Sequence, residues 1–464
     1  MRTGRWIGTA AALAAATVAW GQAQRVPSGE IIIRELPRAM PVPRMPIPVS
    51  ALLPSTQALF DGYVRDGKMP GIVGAFGSGD GPTLFVTAGR IADGATARVA
   101  DPDSLWRVYS MTKPVTATAA MILIEQGKIG LDDPVSKYIP AFATMRVLTS
   151  PDTSLASRPA ARPITIRNLL THTAGLGYNI ITKGPLLHEY ERLGILPGAV
   201  NADLEAKMRL VRPRSLAEFA DRVATLPLIA DPGTKWSYSI GLDVMGRVIE
   251  VASGQPFDTF VNTRIFAPLG MRSSYWQVPV SEAGRLATNY AFVGANPLVA
   301  DANGATRVPL DPAATSAFLQ RPSFPYGGAG LVMSARDYDR FAHMLADGGS
   351  LDGVRIMQPR TAALMMSNLL PPGVRFTGIG GATGGTQGPA MGYGAGGSVT
   401  LVDTPGGFGK GTYAWGGAAG SIFWIDPTRR FRATVMVNYF PADRWPVRRE
   451  TGRALLADAA RLAR

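Results

Sequence analysis

Ser110 and Lys113 stand three residues apart along the chain, with only Met111 and Thr112 between them. On a helix, residues i and i+3 lie on one face, so the lysine amine could approach the serine hydroxyl. A helix N-terminus also offers free backbone N–H groups, which favour developing negative charge. Burial penalises a charged ammonium, so a neutral amine could accept the serine proton. The pair therefore predicts a serine nucleophile activated by a lysine base.

The surroundings of Lys113 strengthen this interpretation of a short pattern. Lys113 is the only charged residue between Arg107 and Glu125, in a run so apolar that it predicts a core helix over Ser110–Gln126, ended by Gly127. Core packing would favour leucine at that position. The alternative is a lysine that extends its amine to solvent from a partly buried helix.

Tyr238 is the second candidate catalytic residue. It follows a Pro-Gly turn at 232–233 and precedes a predicted helix over Asp243–Ser253. A tyrosine hydroxyl beside a lysine cation can shuttle protons. The alternative is a tyrosine that serves only in packing.

The third candidate is the segment Trp415-Gly416-Gly417-Ala418, within the strand-like run Tyr413–Ile425. Glycines in a strand usually mark a close approach by a ligand or by another backbone segment. An edge strand at that place could present an N–H group to an oxyanion. The alternative is a bulge or a tight sheet crossing.

Other chemistries find less support in the residue types. The chain has no cysteine, which excludes a cysteine nucleophile, disulfides and a lipid-attached cysteine. It has three histidines, His172, His188 and His343, but no His-Glu-x-x-His motif, and no Gly-x-Ser-x-Gly or phosphate-binding glycine motif. His172 could join a Ser–His pair, but its apolar, turn-forming context favours a structural role. These residue types argue against a zinc site.

The composition describes a globular, basic protein. The 464 residues are 46% hydrophobic and 17% charged, with a formal net charge of +13. The basic residues are scattered, which argues against nucleic-acid binding and suits an anionic envelope surface. After the N-terminus no apolar run is long enough to span a membrane. Small-molecule substrates remain the expected partners, and the oligomeric state is open.

The N-terminus has the pattern of an export signal. Arg2 and Arg5 precede an apolar stretch over 7–19, and Gly21-Gln22-Ala23 offers a small-residue cleavage site. We expect residues 1–23 to be removed from an exported protein, periplasmic or secreted; the alternative is an uncleaved anchor. Residues 24–50 are rich in proline and predict an extended arm or linker.

The remaining patterns predict a mixed fold. Apolar runs at Ile72–Phe76 and Leu84–Ala88, separated by a turn-rich segment, predict a β-hairpin. Helical patterns dominate the middle of the chain, and strand-like runs return near the C-terminus. We therefore expect an α/β domain with an antiparallel sheet, built from 51–150 and 321–464, and a mainly helical domain inserted at 151–320.

Taken in order, these motifs resemble the serine β-lactamase and penicillin-binding-protein superfamily, in particular the class C-like branch that contains the family VIII carboxylesterases. The resemblance runs from about residue 50 to 440. It rests on Ser110-x-x-Lys113, Leu131-Asp132-Asp133-Pro134-Val135, the run from Ile166 to Leu176, Tyr238-Ser239, Pro268-Leu269-Gly270-Met271, Gly327-Gly328-Ala329-Gly330-Leu331 and Trp415-Gly416-Gly417.

The resemblance implies a three-layer α/β/α domain beside a helical domain, with the active site between them. It implies that Ser110 is acylated and that Lys113 and Tyr238 share the general-base role. The backbone N–H groups of Ser110 and Ala418 would form the oxyanion hole. Water would hydrolyse the acyl-enzyme, and no cofactor is implied.

Two departures from the β-lactamase motifs bear on the substrate. Ile240 stands where those motifs have an asparagine, and Trp415-Gly416-Gly417 stands where they have Lys-Thr-Gly. The missing amide and cation would hold the amide side chain and carboxylate of a β-lactam, so the pocket is apolar where an anion would dock. We expect neutral esters with short acyl chains. A β-lactamase, a D-aminopeptidase or D,D-peptidase, a small-amide hydrolase, and a non-catalytic envelope binding module remain the alternatives.

Overall fold

The computed structural model describes residues 48–294, 301, 303–378, 390–404 and 407–462. The predicted signal peptide at 1–23 lies outside these residues, and so does the predicted arm up to residue 47. The arm's last residues, 48–50, are described, and the first helix begins among them.

Secondary structure within the described residues is mixed along the whole chain. The α-helices are α1 (Val49–Leu52), α2 (Pro54–Arg65), α3 (Thr112–Glu125), α4 (Ile166–Leu170), α5 (Gly184–Arg192), α6 (Ala202–Met208), α7 (Leu216–Ala224), α8 (Gly241–Ser253), α9 (Phe257–Val261), α10 (Ala335–Ala346), α11 (Pro359–Met365) and α12 (Val447–Leu462). The strands are β1 (Gly71–Ser78), β2 (Leu84–Gly89), β3 (Leu105–Arg107), β4 (Arg146–Leu148), β5 (Ser157–Pro159), β6 (Ser274–Tyr275), β7 (Asn289–Val293), β8 (Thr306–Asp311), β9 (Val332–Ser334), β10 (Ser350–Leu351), β11 (Val354–Arg355), β12 (Met391–Tyr393), β13 (Ser398–Thr400), β14 (Tyr413–Gly416), β15 (Ile422–Asp426), β16 (Phe431–Met436) and β17 (Tyr439–Phe440).

The largest sheet has seven strands in the order β12-β13-β14-β15-β16-β1-β2, and its neighbours pair antiparallel. The predicted hairpin is confirmed, since Ile72 faces Ala88 across β1 and β2. Because β16 pairs with β1, both ends of the chain contribute to this sheet, as the sequence predicts.

Alternation along β1 shows why helices cover both faces of the sheet. Ile72 and Phe76 belong to a core with α2 and α12, whereas Val73 and Ala75 belong to the main core on the other face, where α10 packs. Successive side chains of a strand point to opposite faces, so a strand apolar throughout must be covered on both. The predicted three-layer α/β/α arrangement is confirmed. The division into 51–150 plus 321–464 and an inserted 151–320 domain stays a prediction.

The run Tyr413–Ile425 is two strands and not one. β14 ends at Gly416, the chain turns, and β15 returns antiparallel to it. Gly420 has a φ of 86°, and the Gly417 N–H donates to Ser421 O at 2.7 Å, which closes the turn. A further difference is that β14 lies between β13 and β15, so it is not the edge strand that the sequence suggested.

The core helix predicted over Ser110–Gln126 is confirmed as a short 3₁₀ turn, Tyr109–Met111, followed by α3. Every residue of α3 from Thr112 to Leu123 is buried, and the helix ends before Gly127, whose φ is 69°. α3 packs against α8 and α11 and so occupies the centre of the core. Among the described residues, we find no helix with the length and apolarity that a membrane crossing needs.

Candidate active site

Ser110 lies in the 3₁₀ turn that precedes α3 and is 9% exposed. Its predecessor Tyr109 has a φ of 41°, a left-handed conformation that is uncommon outside glycine. Edge-to-face packing of the Tyr109 ring against Phe318 and Phe440, at 5.9 and 5.6 Å between ring centroids, holds this conformation. Strained backbone of this kind is concentrated at functional sites.

Lys113 is fully buried in the first turn of α3, and its amine is turned towards Ser110. Lys113 Nζ lies 3.2 Å from Ser110 Oγ and donates to the Gly328 carbonyl oxygen at 2.8 Å. The lysine therefore does not extend its amine to solvent, which was the alternative that the sequence left open. The i, i+3 spacing brings the two groups together as predicted.

A small sheet brings Gly328 to Lys113 although the two are far apart in sequence. Arg107 of β3 pairs with Val332 of β9 in antiparallel register, so the residues after β3 approach those before β9. Two hydrogen bonds continue this approach: Val108 N donates to Leu331 O, and Leu331 N donates to the Thr112 hydroxyl, both at 3.1 Å.

Tyr238 approaches Ser110 from the other side. Its hydroxyl lies 2.6 Å from Ser110 Oγ, and its ring centroid lies 4.5 Å from Lys113 Nζ. The segment that carries Tyr238 is bound to the one around His172: Ser237 N donates to His172 O, and Ile240 N donates to Gly177 O. The Tyr238 hydroxyl therefore contacts Ser110 in addition to the packing of its ring, and its catalytic role stays a prediction.

These three residues form a compact, almost solvent-free group. Ser110 Oγ stands between an amine and a phenol, each within hydrogen-bond distance, so either partner in its deprotonated form could accept the serine proton. This is the arrangement that a serine nucleophile needs, and the sequence predicted its members individually.

The turn that follows Trp415 and Gly416 packs against the backbone two residues before Ser110. Gly417 lies against Val108: a Cβ atom at Gly417 would stand 2.4 Å from Val108 O. Ala418 follows, exposed, in the turn between β14 and β15 and not within a strand. The oxyanion role of the Ser110 and Ala418 N–H groups stays a prediction.

We expect Gly417→Ala to lower the rate of Ser110 acylation at least about tenfold, because the added Cβ must push the turn away from Val108 and therefore from Ser110. Labelling of Ser110 by a fluorophosphonate measures this rate. Gly416→Ala is the matched control, since its Cβ would meet Ile422 and Ser421 no closer than 3.4 Å. Equal labelling rates in both variants would contradict the expectation.

An aromatic wall flanks the three residues. Trp415 is 7% exposed and packs against Tyr238 and Tyr393, with ring centroids 5.6 and 5.2 Å apart. Trp236 and Phe376 continue this wall, at 5.7 and 5.5 Å from the Tyr393 ring. The predicted apolar pocket residue Trp415 therefore lies beside the site, and Gly416 is half-buried at the end of the same strand.

Ile240 is fully buried directly before α8. Phe376 and Tyr393 were not predicted as site residues, because no sequence motif and no spacing along the chain connects them with Ser110. Tyr178, whose ring centroid lies 5.4 Å from Lys113 Nζ, was not predicted for the same reason.

His172 is buried in this wall and bonds to Ser239. Ser239 N donates to His172 Nδ1 at 3.1 Å, which makes Nδ1 an acceptor. Burial and the positive charge of Lys113 hold the pKa of His172 well below its ordinary value, so the ring is neutral. Its centroid lies 4.8 Å from that of Tyr238, which it supports from behind. This is the structural role that the sequence context favoured.

Comparison with known proteins gives independent evidence on the family and the fold. A family model described as Beta-lactamase matches residues 56–457. The esterase EstB of Burkholderia gladioli is 30% identical over 401 residues, which cover 84% of this chain and 91% of EstB. A lovastatin esterase of Penicillium rubens is 31% identical, covering 70% of this chain and 77% of its own.

Among solved structures, a protein described as EstCE1, a hydrolase with promiscuous acyltransferase activity, is similar over 88% of this chain and 99% of its own. The TM-score is 0.68 and the sequence identity is 29%. The mixed fold with its antiparallel sheet thus has a solved counterpart, and the family resemblance seen in the motifs is confirmed.

Proposed function

Because the chain belongs to the Beta-lactamase family, we propose that it is a carboxylesterase that forms an acyl-enzyme on Ser110. The family belongs to a serine hydrolase superfamily, and the relatives of this chain include proteins described as esterases and one hydrolase described as having acyltransferase activity. The observation that carries the proposal is the position of Ser110 Oγ, 3.2 Å from Lys113 Nζ and 2.6 Å from the Tyr238 hydroxyl.

Acylation follows from these contacts. Ser110 Oγ attacks the ester carbonyl carbon while its proton passes to the Lys113–Tyr238 pair. The backbone N–H groups of Ser110 and Ala418 would bind the resulting oxyanion. When the tetrahedral intermediate collapses, the bond to the alcohol oxygen breaks, and Tyr238 returns the proton to that oxygen. A water molecule then repeats the sequence on the acyl-enzyme, releasing the carboxylic acid and restoring Ser110.

The wall beside Ser110 supports an ester with a neutral acyl group. Trp415 and Ile240 are buried and apolar at the positions where the β-lactamase motifs have a cation and an amide. A carboxylate brought into this wall would lose its hydration with no cation from these positions to pair with it. The relatives described as esterases support the same substrate class.

A substrate panel on the purified protein tests the proposal. We expect turnover of p-nitrophenyl butyrate and little or none of nitrocefin or a D-alanyl peptide. Turnover of an amide with inert esters would favour a β-lactamase, peptidase or small-amide hydrolase. Failure of Ser110 to react with either a fluorophosphonate or a fluorescent penicillin would favour a binding module.

Acyl transfer is part of the same proposal as a second outcome of the acyl-enzyme. EstCE1 is described as having promiscuous acyltransferase activity. Here Ser110 and its two partners lie in a largely buried aromatic site, which an alcohol could enter in place of water. Adding a short-chain alcohol to the esterase assay and measuring the new ester against the free acid gives the share of the two reactions.

A further inference from the structure

Asp243 is a buried carboxyl group that the mechanism above does not use. It lies in the first turn of α8 and has no exposed surface. Its Oδ1 atom accepts the Gly328 N–H at 2.9 Å, and the carbonyl oxygen of the same glycine accepts the Lys113 amine at 2.8 Å. One residue therefore connects the carboxyl group to the lysine of the active site.

The second carboxyl oxygen of Asp243 is also buried and has no hydrogen-bond partner among the described residues. An ionised carboxylate in such a place is costly unless a cation compensates it. Burial raises the pKa of Asp243 to about 7, and the positive charge of Lys113 opposes this rise. The carboxyl group and the amine therefore influence each other's charge.

Three other titratable groups lie around this pair: Tyr178, Tyr238 and His172. Burial raises the pKa of the Tyr178 hydroxyl well above its ordinary value, and the charges of Tyr238 and Asp243 raise it further. His172 is neutral for the reason given above. Asp243 is the one carboxyl group among these four residues.

We propose that Asp243 is a positioning residue for the catalytic base: it holds Gly328 so that Lys113 Nζ stays within reach of Ser110 Oγ, and its negative charge stabilises the ammonium that Lys113 becomes on taking the serine proton. The proposal rests on the proposed function of Ser110 and Lys113. It adds a buried negative charge that can compensate the ammonium formed in this site.

The variant Asp243→Asn separates the charge from the shape. Its side-chain oxygen can still accept the Gly328 N–H, but the negative charge is gone. Without that charge the neutral amine of Lys113 persists to lower pH and is a weaker base. We expect the maximal kcat/KM for p-nitrophenyl butyrate to fall about tenfold and the acidic limb of its pH profile to move down by at least about 0.5 pH unit.

The measurement is kcat/KM between pH 5 and 10 for the wild type, Asp243→Asn and Asp337→Asn. Asp337 is the matched control: it is also buried, burial also raises its pKa, and it accepts the Ser273 N–H, but it bonds to no residue of the site. We expect its profile to keep the wild-type shape. An Asp243→Asn profile with an unmoved acidic limb would overturn the proposal, because a structural role alone lowers the rate without moving the limb.

A second variant tests the positioning role of Asp243 separately from its charge, even if Asp243→Asn does not fold. In Gly328→Ala the new Cβ would stand 2.6 Å from Asp243 Oδ2, which forces the carboxyl group aside while its charge is kept. We expect fluorophosphonate labelling of Ser110 to slow at least about tenfold. A labelling rate equal to that of the wild type would overturn the positioning role. An inert wild type would instead contradict the proposed function itself.

Discussion

Ser110→Ala is expected to lower kcat/KM for p-nitrophenyl butyrate by on the order of 10⁵-fold and to abolish covalent labelling by a fluorophosphonate. Alanine has no oxygen to attack the ester carbonyl, and Ser110 Oγ is the atom on which both Lys113 and Tyr238 converge. Residual hydrolysis would come from the oxyanion donors and from binding alone.

Two features make this experiment decisive. The substitution removes one oxygen atom from a buried side chain, so the variant should fold, which a thermal unfolding curve verifies. Ser237→Ala is the matched control: Ser237 is half-buried and precedes Tyr238 in the chain, but it takes no part in the hydrogen bonds that join Ser110 to Lys113 and Tyr238. Labelling that persisted in Ser110→Ala would show that another residue is the nucleophile, whereas loss of labelling in both variants would indicate a damaged site.

Lys113→Ala and Tyr238→Phe are each expected to lower the acylation rate by at least about 10²-fold, as the loss of a general base does. The Lys113 side chain has no exposed surface, so alanine at this position would leave a cavity. Lys113→Met removes the amine but keeps most of the side-chain volume, and so gives the same test without a cavity. Pre-steady-state release of p-nitrophenol measures acylation separately from the hydrolysis of the acyl-enzyme.

The controls for these variants are in the same neighbourhood. Tyr178→Phe removes a hydroxyl from a ring that also packs on Lys113 Nζ, but one whose oxygen does not bond to Ser110, and we expect a loss of less than about fivefold. Lys235→Ala removes an exposed lysine three residues before Tyr238 and should be neutral. Lys113 and Tyr238 act on the same proton. The acylation rate of their double variant should therefore fall by much less than the product of the two single fold-losses. Full activity in either single variant would contradict the shared role.

Some parts of the structure follow from the sequence because they depend on neighbours along the chain. The i, i+3 spacing of Ser110 and Lys113 places both on one helix face whatever the rest of the chain does. The hairpin of β1 and β2 follows from two apolar runs and a turn. The run Tyr413–Ile425 could not be divided by such reasoning. Ser421 is its one polar residue, so no periodicity shows that the chain reverses at Gly417–Gly420.

The sequence by itself determined the family and the layers of the fold, and it predicted Ser110 and Lys113 as nucleophile and base, because these depend on local spacing and on the order of short motifs. Tertiary structure alone decided what surrounds them. Tyr238 reaches Ser110 across 128 residues, and Gly328 reaches Lys113 across 215. Contacts over such separations arise only when sheets and helices pack, and packing connects Asp243 to Lys113 through Gly328. Local sequence shows which residues have reactive side chains. Tertiary packing decides which of these side chains meet, and burial shifts their pKa values and so their charge.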